Sequence, residues 1–153
     1  MSQEVKRVPY EELDYPGDGL YYLERAPFTG VAFYLAKDGW VESEADYQRG
    51  LLWGVTRVWF GQGILEREAQ CAWGAYHGLV REWHPNGRPA VEAKYEYGVR
   101  VWGKRWDDCG ILVEEFRLQE GDPGFRILKS ARAAFGDAAS DGYLAEPGSP
   151  APS

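Results

Sequence analysis

The stretch Gly78–Gly98, GLVREWHPNGRPAVEAKYEYG, decides the fold. Its centre, Pro85-Asn86-Gly87, is a reversal signal, because Asn-Gly tolerates the left-handed backbone of a tight turn. The runs on either side, LVREW and AVEAKY, alternate β-branched or aromatic residues with polar ones. That pattern predicts a β-hairpin. Working outward, the same hairpin recurs. Gly39, Gly63, Gly87 and Gly110 are each followed five residues later by Glu44, Glu68, Glu92 and Glu115. Eight residues after each stands Tyr47, Cys71, Tyr95 or Leu118, and eleven after each is Gly50, Gly74, Gly98 or Gly121. The spacing between units is 24, 24 and 23 residues. Four positions in register over four units define a repeat architecture.

A unit of this length holds two short strands and two turns. One set of turns falls at KDG, GQG, PNG and DCG, and the other at the glycines that close each unit. Successive hairpins without crossovers give an antiparallel meander, and each short hairpin must stack on its neighbours to bury a face. The expected fold is therefore all-β: an elongated antiparallel meander of stacked β-hairpin repeats with a short C-terminal helix. Residues 1–18 read as an irregular lead-in and 19–121 as the repeat domain. Residues 122–136 read as a capping helix, with Asp122 as N-cap and Gly136 as stop. Its stripe of Phe125, Leu128, Ala131 and Phe135 is placed to cover the last strand, and a partner-binding helix is the other reading. The small, proline-rich end, residues 146–153, reads as a disordered tail.

The register is also predictable. A two-residue reversal ending at the first glycine of each unit sets Glu44 opposite Phe33, Glu68 opposite Arg57, Glu92 opposite Arg81 and Glu115 opposite Lys104. Each exposed opposed pair of charges contributes only about 0.2–1 kcal/mol. Trp59 and Trp83, with Leu35 in the matching place, share the face of these pairs. Trp106 takes the place of Arg57 and Arg81 in the last, shorter strand. Val41, Leu65, Leu112, Ala45, Ala69, Ala93, Tyr47, Tyr95 and Leu118 fall on the other face. A one-residue slip would exchange the two, so the pattern does not say which is exposed.

Composition agrees with a β protein of one ordinary domain. The chain has 153 residues, 15% aromatic, with 19 glycines and one methionine. The first residues carry no apolar run of a secretory leader, which points to the cytoplasm. Cys71 and Cys109 lie outside any CxxC pattern and read as reduced structural thiols. A net charge of −7 disfavours nucleic acid and anionic membrane and suits a basic partner.

The units FTGVAFYLAKDGWVESEADYQRG and HGLVREWHPNGRPAVEAKYEYG resemble the MORN-variant repeats of the YwqK-like bacterial antitoxin family, over residues 28 to 121. Cys71 and Leu118 depart from the family's aromatic, and DCG shortens the last hairpin. The resemblance implies a non-catalytic antitoxin or immunity-like protein that neutralises a protein partner. MORN-type repeats are otherwise associated with scaffolding and membrane contact, which is the alternative.

Chemistry needs a singular constellation, whereas the glutamates recur by period. His77 and His84 match no zinc spacing, and His77, at the site of Trp53 and Trp102 before a repeat glycine, reads as turn packing. Ser43 lies in no nucleophile elbow, and GQG at 61–63 is a turn rather than a phosphate loop. No enzyme, metal or cofactor is expected. What remains is surface. Trp59, Trp83, Trp106, Arg57 and Arg81 are the candidate partner-binding residues, since aromatics and arginines anchor protein interfaces. The other reading of these tryptophans is that they pack the sheet itself. Gly39, Glu44, Gly50, Gly63, Glu68, Gly74, Gly87, Glu92, Gly98, Gly110, Glu115 and Gly121 are assigned to the repeat framework.

Overall fold

A computed structural model describes residues 5–136. The chain divides into two compact units, Met1–Ala75 and Tyr76–Ser153. Both are built from antiparallel hairpins, as the repeat requires.

In the N-terminal unit, β4 (Gly30–Leu35), β5 (Val41–Gln48), β6 (Leu51–Gly61) and β7 (Ile64–Ala72) form a meander. A short strand β1 (Arg7–Pro9) adds in parallel to β4. β2 (Tyr22–Leu23) and β3 (Ala26–Pro27) make a separate small hairpin. The C-terminal unit continues with β8 (Ala75–Trp83), β9 (Pro89–Glu96), β10 (Val99–Trp106) and β11 (Leu112–Arg117), then helix α1 (Pro123–Phe135).

Two turn types alternate, and both follow from local sequence. The tight turns are Arg49-Gly50, Trp73-Gly74 and Tyr97-Gly98, with φ near +50° at the first residue and +80° or more at the glycine. Positive φ at both positions is the type I′ turn, whose twist matches that of the flanking strands. The wider turns contain Gly39, Gly87 and Gly110, each with φ between +86° and +89°. In the first of these, the Gly39 N–H donates to the Ala36 carbonyl and the Ala36 N–H to the Trp40 carbonyl, both at 2.9 Å. The same two bonds recur at His84 and Asp107. Three residues are thus looped out, ending in a left-handed glycine.

Next to each wider turn the ladder skips one residue, Glu42, Ala90 and Val113 in turn. The β6–β7 reversal over Gln62 and Gly63 is tight, and there one residue is skipped on each strand, Phe60 and Glu66. The register is kept in both cases, so the pairs expected from a two-residue reversal all form: Phe33 with Glu44, Arg57 with Glu68, Arg81 with Glu92 and Lys104 with Glu115. They also correct two placements. Trp106 stands opposite Leu112 as Trp59 stands opposite Leu65, so it holds the place of Trp59 and Trp83, while Lys104, opposite Glu115, holds that of Arg57 and Arg81. Val41, Leu65 and Leu112 stand directly opposite Leu35, Trp59 and Trp106, and directly opposed residues share a face. The extra residue of a bulge moves everything turnward of it to the other side.

The alanine face carries buried residues in both units. Ala32, Ala69, Val80 and Ala93 are almost wholly buried. In the N-terminal unit the lead-in covers that face. Val8, Phe28, Ala32 and Tyr47 form its core, with Tyr10, Leu13, Tyr21, Leu23, Ala45 and Leu52 against them. The lead-in is therefore not simply irregular, as it contains β1 and a single 3-10 turn, Tyr10–Glu12. A three-residue strand is too short to show periodicity, and Val8 alone betrays it. Gly30 lies so close under the Phe28 ring and the Lys6 carbonyl that any side chain there would collide with them.

The helix begins after Asp122 and stops at Gly136, as the sequence predicts. The Asp122 carboxylate accepts from the Gln119 N–H at 2.7 Å instead of capping the helix itself. Pro123 at the first position suits a helix start. The expected cover of the last strand is not what forms. The helix packs on β10 and on the β9–β10 turn: Gly124 lies beside Val99, and Arg132 reaches Glu96. Of the stripe, Leu128 is buried while Phe135 is 72% exposed. Glu96 attracts the helix by its charge, which an apolar stripe alone does not reveal. The tail at 146–153 lies outside the described residues. Among the described residues no helix is long and apolar enough to cross a membrane.

Candidate functional site

The glutamate face carries the charges, and in the N-terminal unit they close into a ladder. The Arg57 Nε donates to Glu68 at 2.9 Å, and its other arm lies 3.4 Å from Glu44. Glu44 in turn accepts from Arg7 at 3.0 Å, and the Arg7 guanidinium lies over the Phe33 ring. Burial by itself would lower the Arg57 pKa, but the bond to Glu68 and the charges of Glu68 and Glu44 outweigh it and push it up. Arg57 is thus held by its own sheet. Trp59, two residues along β6, is half-buried opposite Leu65.

In the C-terminal unit the same register closes differently. Arg81 is exposed opposite Glu92, and no salt bridge joins them among the described residues. Ion pairs form instead on the opposite face, where Glu114 meets Arg100 at 3.3 Å and Arg105 at 3.4 Å. Trp83 and Trp106 are half-buried opposite Pro89 and Leu112. The five expected anchors therefore divide between the units, Arg57 and Trp59 in one, Arg81, Trp83 and Trp106 in the other. Within them only Arg81 is exposed.

Two features were not singled out from sequence. Among the seven tryptophans, Trp73 is the exposed one, at 45%. Its ring meets that of Trp53 edge to face, with centroids 4.9 Å apart. Gln48, Arg49, Leu51, Trp53 and Trp73 line a recess of about 290 Å³ there. The signal was present in the turn chemistry. A bulky aromatic sits at the first position of a type I′ turn, where Asn, Asp or Gly is favoured. The second feature is β11, which pairs with β10 and no other described strand. Ile111, Leu112 and Val113 at its start are 62%, 45% and 47% exposed. The sequence showed an edge there but assigned the helix to cover it.

The groups with catalytic potential are engaged in structure. The His77 Nδ1 accepts from the Tyr97 N–H at 3.0 Å, and the His84 Nε2 lies 2.9 Å from the Trp106 carbonyl. His77 belongs to turn packing, as expected, and His84 bridges to β10. The Cys71 thiol is pushed up chiefly by burial, and that of Cys109 by the charges of Asp108 and Asp107. Raised thiols are poor nucleophiles at neutral pH. Asp107, Asp108 and Cys109 cluster within 4.8 Å, but Asp107 uses its carboxylate to accept from the Cys109 and Ile111 N–H groups, both at 2.9 Å. That is local turn chemistry. Against protein-family models, curated proteins and solved structures, the chain shows no match.

Proposed function

We propose that the chain is a non-catalytic repeat module that holds a protein partner on its β-sheet surface, in the manner of an antitoxin or immunity protein. The observation that carries this reading is β11. It is a strand of six residues with one side unpaired among the described residues, and exposed Leu112 and Val113 at its start follow exposed Ile111. Such an edge offers backbone hydrogen bonds to an extended segment of another chain, with side-chain contacts to set specificity. The resemblance of its repeats to the YwqK-like family supports the antitoxin assignment, and the net charge of −7 favours a basic partner by steering its approach.

Co-expression with the products of adjacent genes, followed by affinity capture and a growth assay, tests this. A stable complex that rescues growth is expected. Val113→Lys places a charge on the edge and is expected to weaken the complex about tenfold, or about 1.4 kcal/mol. No complex with any adjacent product and no rescue would refute the function. A complex indifferent to Val113→Lys would refute the use of this edge.

A further inference from the structure

The recess at Trp53 and Trp73 has an internal counterpart one repeat later. Counting 24 residues along, Trp53 corresponds to His77 and Trp73 to Tyr97. The counterpart rings also meet, with centroids 4.8 Å apart, and Tyr97 has the same left-handed backbone as Trp73. That second ring pair shows what such a platform accepts. The end of α1 lies against it: the Phe135 ring is 5.9 Å from the Tyr97 ring, and the Tyr97 hydroxyl donates to the Gly136 carbonyl at 2.7 Å. The contact is anchored by charge, since Glu96 on the preceding strand holds Arg132 of the helix.

At the first ring pair the recess is open and the charge is reversed. Arg49, the other left-handed turn residue at its rim, is exposed, and its guanidinium enters no ion pair among the described residues. Its backbone is fixed, because its N–H donates to the Thr29 hydroxyl at 2.9 Å. The Gln48 amide lies beside it. Leu51 and Trp53 alternate with Arg57 along β6, so the recess belongs to the glutamate face, the face that α1 covers in the other unit.

We infer that this recess docks the end of a short helix from a partner protein, seating an aromatic side chain against Trp53 and Trp73 and pairing a carboxylate with Arg49. Tryptophan and arginine are the residue types that dominate interface energetics, and a helix laid in a groove is a common recognition mode. The chain's own helix is a poor occupant in a second copy. Its charged residues are Arg126, Lys129 and Arg132, which would meet Arg49 with like charge, and its end is engaged at Tyr97.

The full chain, labelled with nitrogen-15, is titrated with a 14-residue acidic helical peptide ending in Phe-Gly, and with the same peptide carrying Ala for Phe. Because the probe is a peptide, its outcome is independent of whether β11 binds a partner. The indole N–H signals of Trp53 and Trp73 are expected to shift saturably with the Phe peptide and not with the Ala peptide. Arg49→Asp keeps a residue suited to the turn and is expected to weaken binding about fivefold. Trp73→Asn, which also suits the turn, is expected to abolish it. Equal responses to both peptides, no indole shift at millimolar peptide, or binding retained by Trp73→Asn would overturn the inference. So would indole shifts that appear on raising the protein concentration alone and that the peptide fails to reverse, since those assign the recess to a second copy.

Discussion

The two units run the same repeat and finish it differently. In the N-terminal unit the lead-in folds over the alanine face, and the glutamate face keeps an arginine–glutamate ladder and an open pair of indoles. In the C-terminal unit a helix folds onto the glutamate face, holding the buried Glu96 and closing over the matching ring pair. The comparison teaches that the hairpin frame fixes where side chains stand, while the flanking segments decide which of them remain available. A repeat position is thus a place and not a role. Arg57 is consumed by its neighbours, whereas Arg81 at the same place is exposed.

The largest effects should come from removing what each flanking segment contributes. Phe28 is 2% exposed and joins the lead-in to β4 and β5. Phe28→Ala is expected to cost about 3–5 kcal/mol, the usual range for a buried phenylalanine. Denaturant unfolding reads the total, and amide hydrogen exchange reads its location. Protection should fall in β4–β6 before β9 and β10. Uniform loss in both units would mean that the lead-in does not act on its own unit.

In the C-terminal unit the corresponding contact is ionic. Glu96 is 1% exposed and its carboxylate is held by Arg132 from the helix. Arg132→Met leaves a buried charge without its cation and is expected to cost about 3 kcal/mol. Adding Glu96→Leu should recover much of that loss, because the desolvation penalty disappears with the charge. If the double variant is no more stable than Arg132→Met, the helix is held by Leu128 packing and not by the ion pair.

A third test separates the units by pH. The Tyr10 and Tyr47 phenols lie in the N-terminal core and are pushed above their ordinary value, both chiefly by burial, Tyr10 also by its hydrogen bond to Tyr21. The fold therefore favours their neutral forms. Below about pH 10, the ordinary tyrosine pKa, this stabilisation is complete. Above it the unfolded chain ionises first, and stability falls as pH rises toward the folded values. The N-terminal unit is expected to lose exchange protection first in alkali, and Tyr47→Phe should delay that loss. An onset of unfolding below pH 9 would point to another group.

The hairpins, the four glutamate pairs and both helix boundaries were legible because each rests on local chemistry: turn glycines, period-2 alternation, and Asp122 and Gly136 at the ends of the helix. Val41, Leu65 and Leu112 were misplaced because a bulge leaves no residue-type signature, although its recurrence beside every wider turn makes it readable in hindsight. Strand β1 was invisible because three residues carry no period. The aromatic anchors were sought at Trp59, Trp83 and Trp106, where alternation put them, and half-buried is what a sheet surface makes of them. Trp73 was overlooked since a turn was expected to hold only turn residues. The path of α1 depends on Glu96 and Arg132, 36 residues apart, and no local pattern encodes such a partnership.

The smallest effect is the one that isolates the comparison best. Arg57 and Arg81 occupy the same repeat position, each opposite a glutamate. Arg57→Gln removes both ion pairs of a partly exposed ladder and is expected to cost about 1 kcal/mol, less in high salt. Arg81→Gln removes no salt bridge among the described residues and should change stability by no more than about 0.5 kcal/mol. The difference between the two, measured at low salt and again at 1 M, cancels what is common to the shared position: the propensity of arginine in a strand and the length of its side chain. What is left is the ladder itself. A gap that survives at 1 M salt would mean that Arg57 stabilises by packing its stem along the sheet. A gap that is absent at low salt would mean that the ladder orders side chains without stabilising the fold.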